Sequence, residues 1–161
     1  MAKKRIKKHI LDFSVQTTNF QMKIIGIKSH IPLYKLAFFL NKSFDLQFYF
    51  HPNNIIIKRK KKNLEFEFFT IPDDQNEEQI YLVNNETLYE IKDTSGGMFN
   101  SSEAFYLIPE LLNINYLLFL HNEFPIDIPQ LQKQLDATYQ VKWIEINMDK
   151  ISSPMPIFPV S

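Results

Sequence analysis

Four histidines, His9, His30, His51 and His121, are the side chains best suited to chemistry in this chain. Imidazole titrates near neutral pH and ligates divalent metals. His30 and His121 each follow a strand-like run that leads toward a helix, so two crossovers on one sheet would bring them together, with Glu123 nearby. Loop histidines more simply face water, and no metal ligand is assigned. Ser29 has His30 as its neighbour, but no general base stands at a defined position beside it, and capping a helix is the simpler role for its hydroxyl. Asp73, Asp74, Glu77 and Glu78 offer paired carboxylates for acid–base work. They fall in one polar run, PDDQNEE, and read as solvated charge.

Composition removes other chemistries. The chain has no cysteine, hence no disulfide, no thiolate metal site and no cysteine nucleophile. Gly26, Gly96 and Gly97 are its three glycines. They do not have the fixed spacing of a phosphate loop or a dinucleotide fingerprint. GxSxG, HExxH and EF-hand patterns are absent as well. No catalytic residue and no cofactor is therefore assigned.

The run Lys58, Arg59, Lys60, Lys61, Lys62, preceded by Phe48, Tyr49 and Phe50, has the basic-plus-aromatic character of a single-strand nucleic-acid platform. It belongs to a wider asymmetry. Residues 1–62 hold 14 Lys/Arg against two carboxylates, a net +12, and residues 63–161 hold 4 against 16, a net −12. A basic arm for nucleic acid would look like this, and so would two halves that fold together and neutralise each other. The basic residues lie among apolar ones in strand-like runs, which favours the second reading.

These residues need elements to position them. Fifteen Phe, seven Tyr and one Trp favour strands and a sheet-rich core. Ile6–Phe13 and Phe20–Ile27 read as strands joined by a polar turn. Leu33, Leu36, Ala37, Leu40 and Phe44 have helical spacing, with Ser29 as N-cap, Pro32 in the first turn, and Lys35, Asn41 and Lys42 toward water. Leu46–Phe50, Ile55–Lys61 and Leu64–Ile71 follow as strands. A two-residue turn at Lys62-Asn63 would pair Lys60 with Glu65, Lys58 with Glu67 and Ile57 with Phe68, giving the lysines a local structural role. Gln79–Val83, Phe105–Ile108, Ile114–Leu120 and Val141–Asn147 are further strands. Residues 92–103 read as a loop, and a second helix spans about Ile128–Ala137, with Asp127 and Gln130 at capping-box spacing. The predicted fold class is α+β: a mostly antiparallel sheet, open or folded over, with two helices packed on it. Residues 1–161 form one domain, of which 151–161 is an extended proline-containing tail.

The apolar window Ala104–Leu120 is broken by Pro109, Glu110, Asn113 and Asn115, so it reads as core and no membrane partner is expected. The N-terminus starts basic, as a signal peptide does, but Asp12 and Gln16 interrupt its apolar run. A cytoplasmic location is expected.

The segments KKHILDF, KIIGIKSH (Lys23–His30), LAFFLNK (Leu36–Lys42) and LIPELLNINYLLFL (Leu107–Leu120) resemble the IPExxVDY family of small bacterial proteins. Ile108, Pro109 and Glu110 match the first part of its motif. Ile114, Asn115 and Tyr116 take the second, with Ile for Val and Asn for Asp, so a carboxylate is lost there. The resemblance implies a compact bacterial cytoplasmic domain without a transferable activity. Its candidate site residues are Ser29, His30, Asn41, Ile108, Pro109, Glu110, Asn115 and Tyr116. Read physically, Pro109 ends a strand, Glu110 sits in a turn, and Tyr116 starts the next strand with a polar tip that needs a partner.

The expected function is a non-enzymatic protein-interaction module that binds itself as a homodimer, or another protein. Ile55–Ile57 and Tyr116–Leu120 are apolar on both strand faces, and cover for the second face would come from a folded-over sheet, from the tail or from a second copy. Nucleic-acid binding through the basic half is one alternative. A small-ligand or catalytic pocket near Ser29, His30, Glu110 and Tyr116 is the other.

Overall fold

The computed structural model describes residues 22–71, 80–91, 101–121, 127–139 and 141–158. Within them the fold is mixed, with two helices and ten strands, and every strand pairing is antiparallel. The expected strand Ile6–Phe13, the acidic run Pro72–Glu78, His9 and Glu123 lie outside the described residues.

The chain runs β1 (Met22–Lys28), α1 (Leu33–Phe44), β2 (Tyr49–Phe50), β3 (Ile55–Arg59), β4 (Lys62–Phe66) and β5 (Phe68–Thr70), then β6 (Tyr81–Asn84), β7 (Glu86–Ile91) and β8 (Ser101–Tyr106). A 3₁₀ turn at Pro109–Leu111 precedes β9 (Tyr116–His121), α2 (Ile128–Tyr139), β10 (Lys142–Glu145) and a second 3₁₀ turn, Met148–Lys150. Six strands form one sheet in the order β10-β1-β9-β6-β5-β2, and β3–β4 and β7–β8 are separate hairpins. β9 and β10 flank β1 on either side, so the unit β9–α2–β10 brackets the first of the described strands.

Alternation along the strands divides the core in two. Ile25, Ile27, Leu82, Leu118 and Leu120 share one cluster with Leu33, Leu36, Ala37 and Leu40 of α1 and Leu131 of α2. Their neighbours Ile24, Tyr81, Val83, Leu117 and Phe119 belong to a second cluster with Ile55, Leu64 and Phe66 of the first hairpin, joined by Tyr89 and Phe105 of the other and by Phe158 of the tail. The doubly apolar run at Tyr116–Leu120 is thus covered on both faces within one chain, and it no longer calls for a second copy. Gly26 lies where the second cluster is tightest: a Cβ there would come within 2.9 Å of Ile146 Cδ1 and 3.1 Å of Ile114 Cδ1.

Several expectations are corrected. The hairpin forms, but its turn is Lys60-Lys61, both at positive φ (47° and 66°), and not Lys62-Asn63. Ile57 pairs with Leu64, Lys58 with Asn63 and Arg59 with Lys62, so neither predicted Lys–Glu pair exists. The observed register sets Ile55 opposite Phe66 and Ile57 opposite Leu64, so apolar side chains meet across the ladder where the predicted register would put Arg59 against Phe66 and Lys61 against Leu64. The single strand expected over Leu64–Ile71 is two strands in different sheets, β4 and β5, with exposed Glu67 between them. β8 lies at Ser101–Tyr106 and not at Phe105–Ile108, so the end of the expected 92–103 loop is strand. Ser29 does not cap α1, whose N-cap is Pro32 without a side-chain hydrogen bond. Asn41 does not simply face water: its amide accepts from Phe48 N–H (2.8 Å) and donates to Phe48 C=O (3.0 Å), holding the chain as it enters β2.

Candidate functional site

The residues of the IPExxVDY-like segment meet around a side chain that sequence reading did not single out. Asn85, fully buried between β6 and β7, uses all its polar groups. Its backbone N–H donates to Asn115 C=O (2.9 Å), and its C=O accepts from Leu107 N–H (2.7 Å). Its side chain donates to the carbonyls of Leu111 and Ile114 (2.9 Å each) and accepts from Ile108 N–H (3.1 Å). One amide therefore shapes the whole turn from Ile108 to Asn115. Nothing marks it in the sequence beyond a polar pair, Asn84-Asn85, that interrupts a strand-like run.

From this turn Asn115 reaches back to the first crossover. Its Oδ1 accepts from Ser29 N–H (3.0 Å), and its own N–H donates to Ile27 C=O (3.0 Å). The Ser29 hydroxyl accepts from Ile31 N–H (3.1 Å), and Tyr116 OH donates to Ile31 C=O (2.7 Å). Burial raises the Tyr116 phenol pKa above its ordinary value. Asn in place of Asp suits this position, since the amide is neutral at a half-buried site.

Glu110 faces away from that network. Its Oε1 accepts from Ser152 N–H (3.0 Å), Ser152 Oγ–H (2.9 Å) and Ser153 N–H (2.9 Å). Hydrogen bonding to Ser153, above all, and to Ser152 holds its pKa down at about 2. The tail it clips runs on to Phe158, whose ring stacks on Tyr81 (centroids 3.6 Å apart, 9° between planes) and meets Phe119 edge-on. Burial, with a smaller push from Tyr49, raises the Tyr81 pKa to about 12.

The expected gathering of Ser29, His30, Glu110 and Tyr116 is thus divided. Ser29 and Tyr116 both engage Ile31, His30 is exposed, and Glu110 engages the tail. Pro109 lines a groove with β3 and Ser153–Ile157, whereas Tyr116 lines a different pocket. His51 is a core histidine, stacked on Phe68 and accepting from Asn53 N–H. Among the described residues no three His, Asp or Glu side chains come together to hold a metal.

The basic run separates into two kinds of residue. Arg59 donates to the carbonyls of Tyr106 (2.6 Å) and Leu107 (2.9 Å), and so ties the first hairpin to the end of β8. Lys62 pairs with Glu103 (2.6 Å) while lying 4.8 Å over the rings of Tyr89 and Phe105. Lys58, Lys60 and Lys61 are exposed.

The concave feature with the most distinctive lining lies where α1 meets the β2 edge. It is a pocket of about 330 Å³ walled by Tyr34, Phe50, Phe69 and Tyr116, with Glu67 and Asn84 on its polar side. Tyr34 is 60% exposed and Phe50 47%, and Phe38, one helical turn beyond Tyr34, is 61% exposed. Phe50 and Phe69 meet edge to face at 5.5 Å.

No helix among the described residues is long and apolar enough to cross a membrane. Comparison of the chain with protein-family models, curated proteins and solved structures gave no match.

Proposed function

We propose that this chain is a non-enzymatic protein-interaction module that associates with itself, a small bacterial cytoplasmic protein of the IPExxVDY kind. The supporting observation is the exposed aromatic surface of Tyr34 and Phe50 at the pocket on the β2 edge, with exposed Phe38 one helical turn beyond Tyr34. Large side chains are rarely left together in water without a partner. The side chains of Glu110, Asn115 and Tyr116 are already engaged within the fold, which agrees with an architectural rather than catalytic role. In this reading both helices lie on one face of the six-stranded sheet and the hairpins fold over the other, an arrangement supported by the make-up of the two core clusters.

Light scattering after size exclusion at low micromolar concentration tests the proposal. A species of twice the 19.2 kDa chain mass is expected, reduced to one chain by Phe38→Ser with Phe50→Ser. A wild-type monomer throughout would refute it.

Nucleic-acid binding is the second reading, favoured by exposed Lys58, Lys60 and Lys61, of which the observed register leaves Lys58 and Lys60 without the predicted glutamate partners. A steep loss of affinity with salt, abolished by neutralising those three lysines, would establish it.

A further inference from the structure

The pocket at the β2 edge has the composition of a cation receptor. Four aromatic residues, Tyr34, Phe50, Phe69 and Tyr116, line it together with Glu67, Asn84, Pro32 and Leu33. Aromatic faces attract ammonium and guanidinium groups through the ring quadrupole. A carboxylate at the rim adds direct attraction and orients the charge. The two ion pairs among the described residues are Lys23–Glu145 and Lys62–Glu103, so Glu67 has no cation of its own there. The same chain already shows the chemistry once, where Lys62 lies over Tyr89 and Phe105 and pairs with Glu103.

Resting on the self-association reading, we propose that the pocket is a receptor for an organic cation, and that the cation is the lysine-bearing hairpin tip, Lys60-Lys61, of a second copy. The tip is exposed, both residues stand at positive φ in a two-residue turn, and neither enters an ion pair among the described residues. It cannot serve its own pocket. Lys61 and Glu67 are separated by the whole of β4, a distance of roughly 20 Å at strand rise, further than a lysine side chain extends. Donor and receptor are thus held apart within one chain and complementary between two. A two-fold axis satisfies both at once: each copy places its tip in the other's pocket. The aromatic surface around the pocket then supplies the apolar part of the same interface.

The test uses the full chain and three variants: Lys60→Glu with Lys61→Glu, Glu67→Lys, and Lys60→Gln with Lys61→Gln. All substituted side chains are exposed, and urea melts confirm that each variant is folded. Each variant alone is expected to raise the dimer Kd about tenfold or more. An equimolar mixture of the Lys60→Glu/Lys61→Glu and Glu67→Lys variants is expected to dimerise more tightly than either variant alone but short of wild type, because one of its contacts is native and the other restores the ion pair in reverse without a cation over the aromatic faces. Tetramethylammonium chloride should dissociate the wild-type dimer at lower concentration than sodium chloride of equal ionic strength.

A wild-type dimer that ignores these variants, or a mixture that fails to recover, overturns this inference and leaves self-association standing. Equal effects of the two salts overturn the aromatic part. A wild-type monomer at every concentration removes self-association and this inference together.

Discussion

Ser152 gives both of its polar hydrogens to one oxygen of Glu110, 42 residues earlier in the chain, its N–H at 3.0 Å and its hydroxyl at 2.9 Å. With Ser153 N–H as the third donor, the carboxylate closes the tail onto the 3₁₀ turn at Pro109–Leu111. The folded pKa of about 2 lies below the ordinary 4.5. A depressed carboxyl contributes stability that is fully present above the unfolded value and is lost as pH falls through the folded one. Glu110→Ala should therefore lower the melting temperature at pH 7, and the gap to wild type should narrow from pH 4.5 downward and close near pH 2. A gap that persists at pH 2 would mean that the carboxylate's charge is not what holds the tail.

Asn85→Ala should be the most damaging single substitution in this region. It strips the Leu111 and Ile114 carbonyls and the Ile108 N–H of their partner at a fully buried site. Each buried group left unpaired costs about 1–3 kcal/mol. Urea unfolding should show a loss of at least about 3 kcal/mol, or no folded protein. Asn85→Asp is not a rescue, because the carboxylate still accepts from Ile108 but faces two carbonyl oxygens.

Gly26→Ala should destabilise by about 1–3 kcal/mol through overpacking against Ile146 and Ile114. The first obstacle is the terminal methyl of Ile146, so Ile146→Val in the same chain should recover part of the loss. Full additivity of the two substitutions in denaturant melts would show that this contact is not the cause.

The hairpin tip offers a stabilising change. Lys60 and Lys61 both occupy left-handed backbone conformations, which Asn and Gly accept at lower cost. Lys60→Asn with Lys61→Gly should raise the stability of the single chain by about 0.5–1 kcal/mol in urea melts run at concentrations too low for self-association. Arg59→Met, one residue before the tip, should instead lose about 1.5–3 kcal/mol, because a charged donor is withdrawn from two carbonyls.

The elements that were legible in the sequence are those whose apolar period is self-contained. α1 buries Leu33, Leu36, Ala37 and Leu40 as its spacing indicates, and α2 starts at the Asp127 cap, whose Oδ1 accepts from Gln130 N–H. The first hairpin was legible in kind but not in register, because two charge pairs across the ladder are worth less than setting Ile55 against Phe66 and Ile57 against Leu64. The second hairpin was hidden, since β7 and β8 carry mostly exposed residues. A turn after Pro109 was legible, but its organiser is Asn85, 23 residues before Ile108. No local pattern encodes a contact of that range. The aromatic pocket draws on α1, β2, β5 and β9 together, so only the assembled sheet reveals it.

The placement of β1 between β9 and β10 has a consequence for synthesis of the protein on the ribosome. Ile24, Ile25 and Ile27 are buried to within 1% of full enclosure in the finished fold, yet both flanking strands are made much later. The chain between Lys28 and Tyr116 must be synthesised first, which at about 5–20 residues per second takes roughly 4–18 s. Throughout that interval MKIIGIK lacks both of the strands that flank it in the finished fold. An apolar segment is therefore held in reserve, and the event that encloses it is the arrival of β9 and β10, not its own emergence.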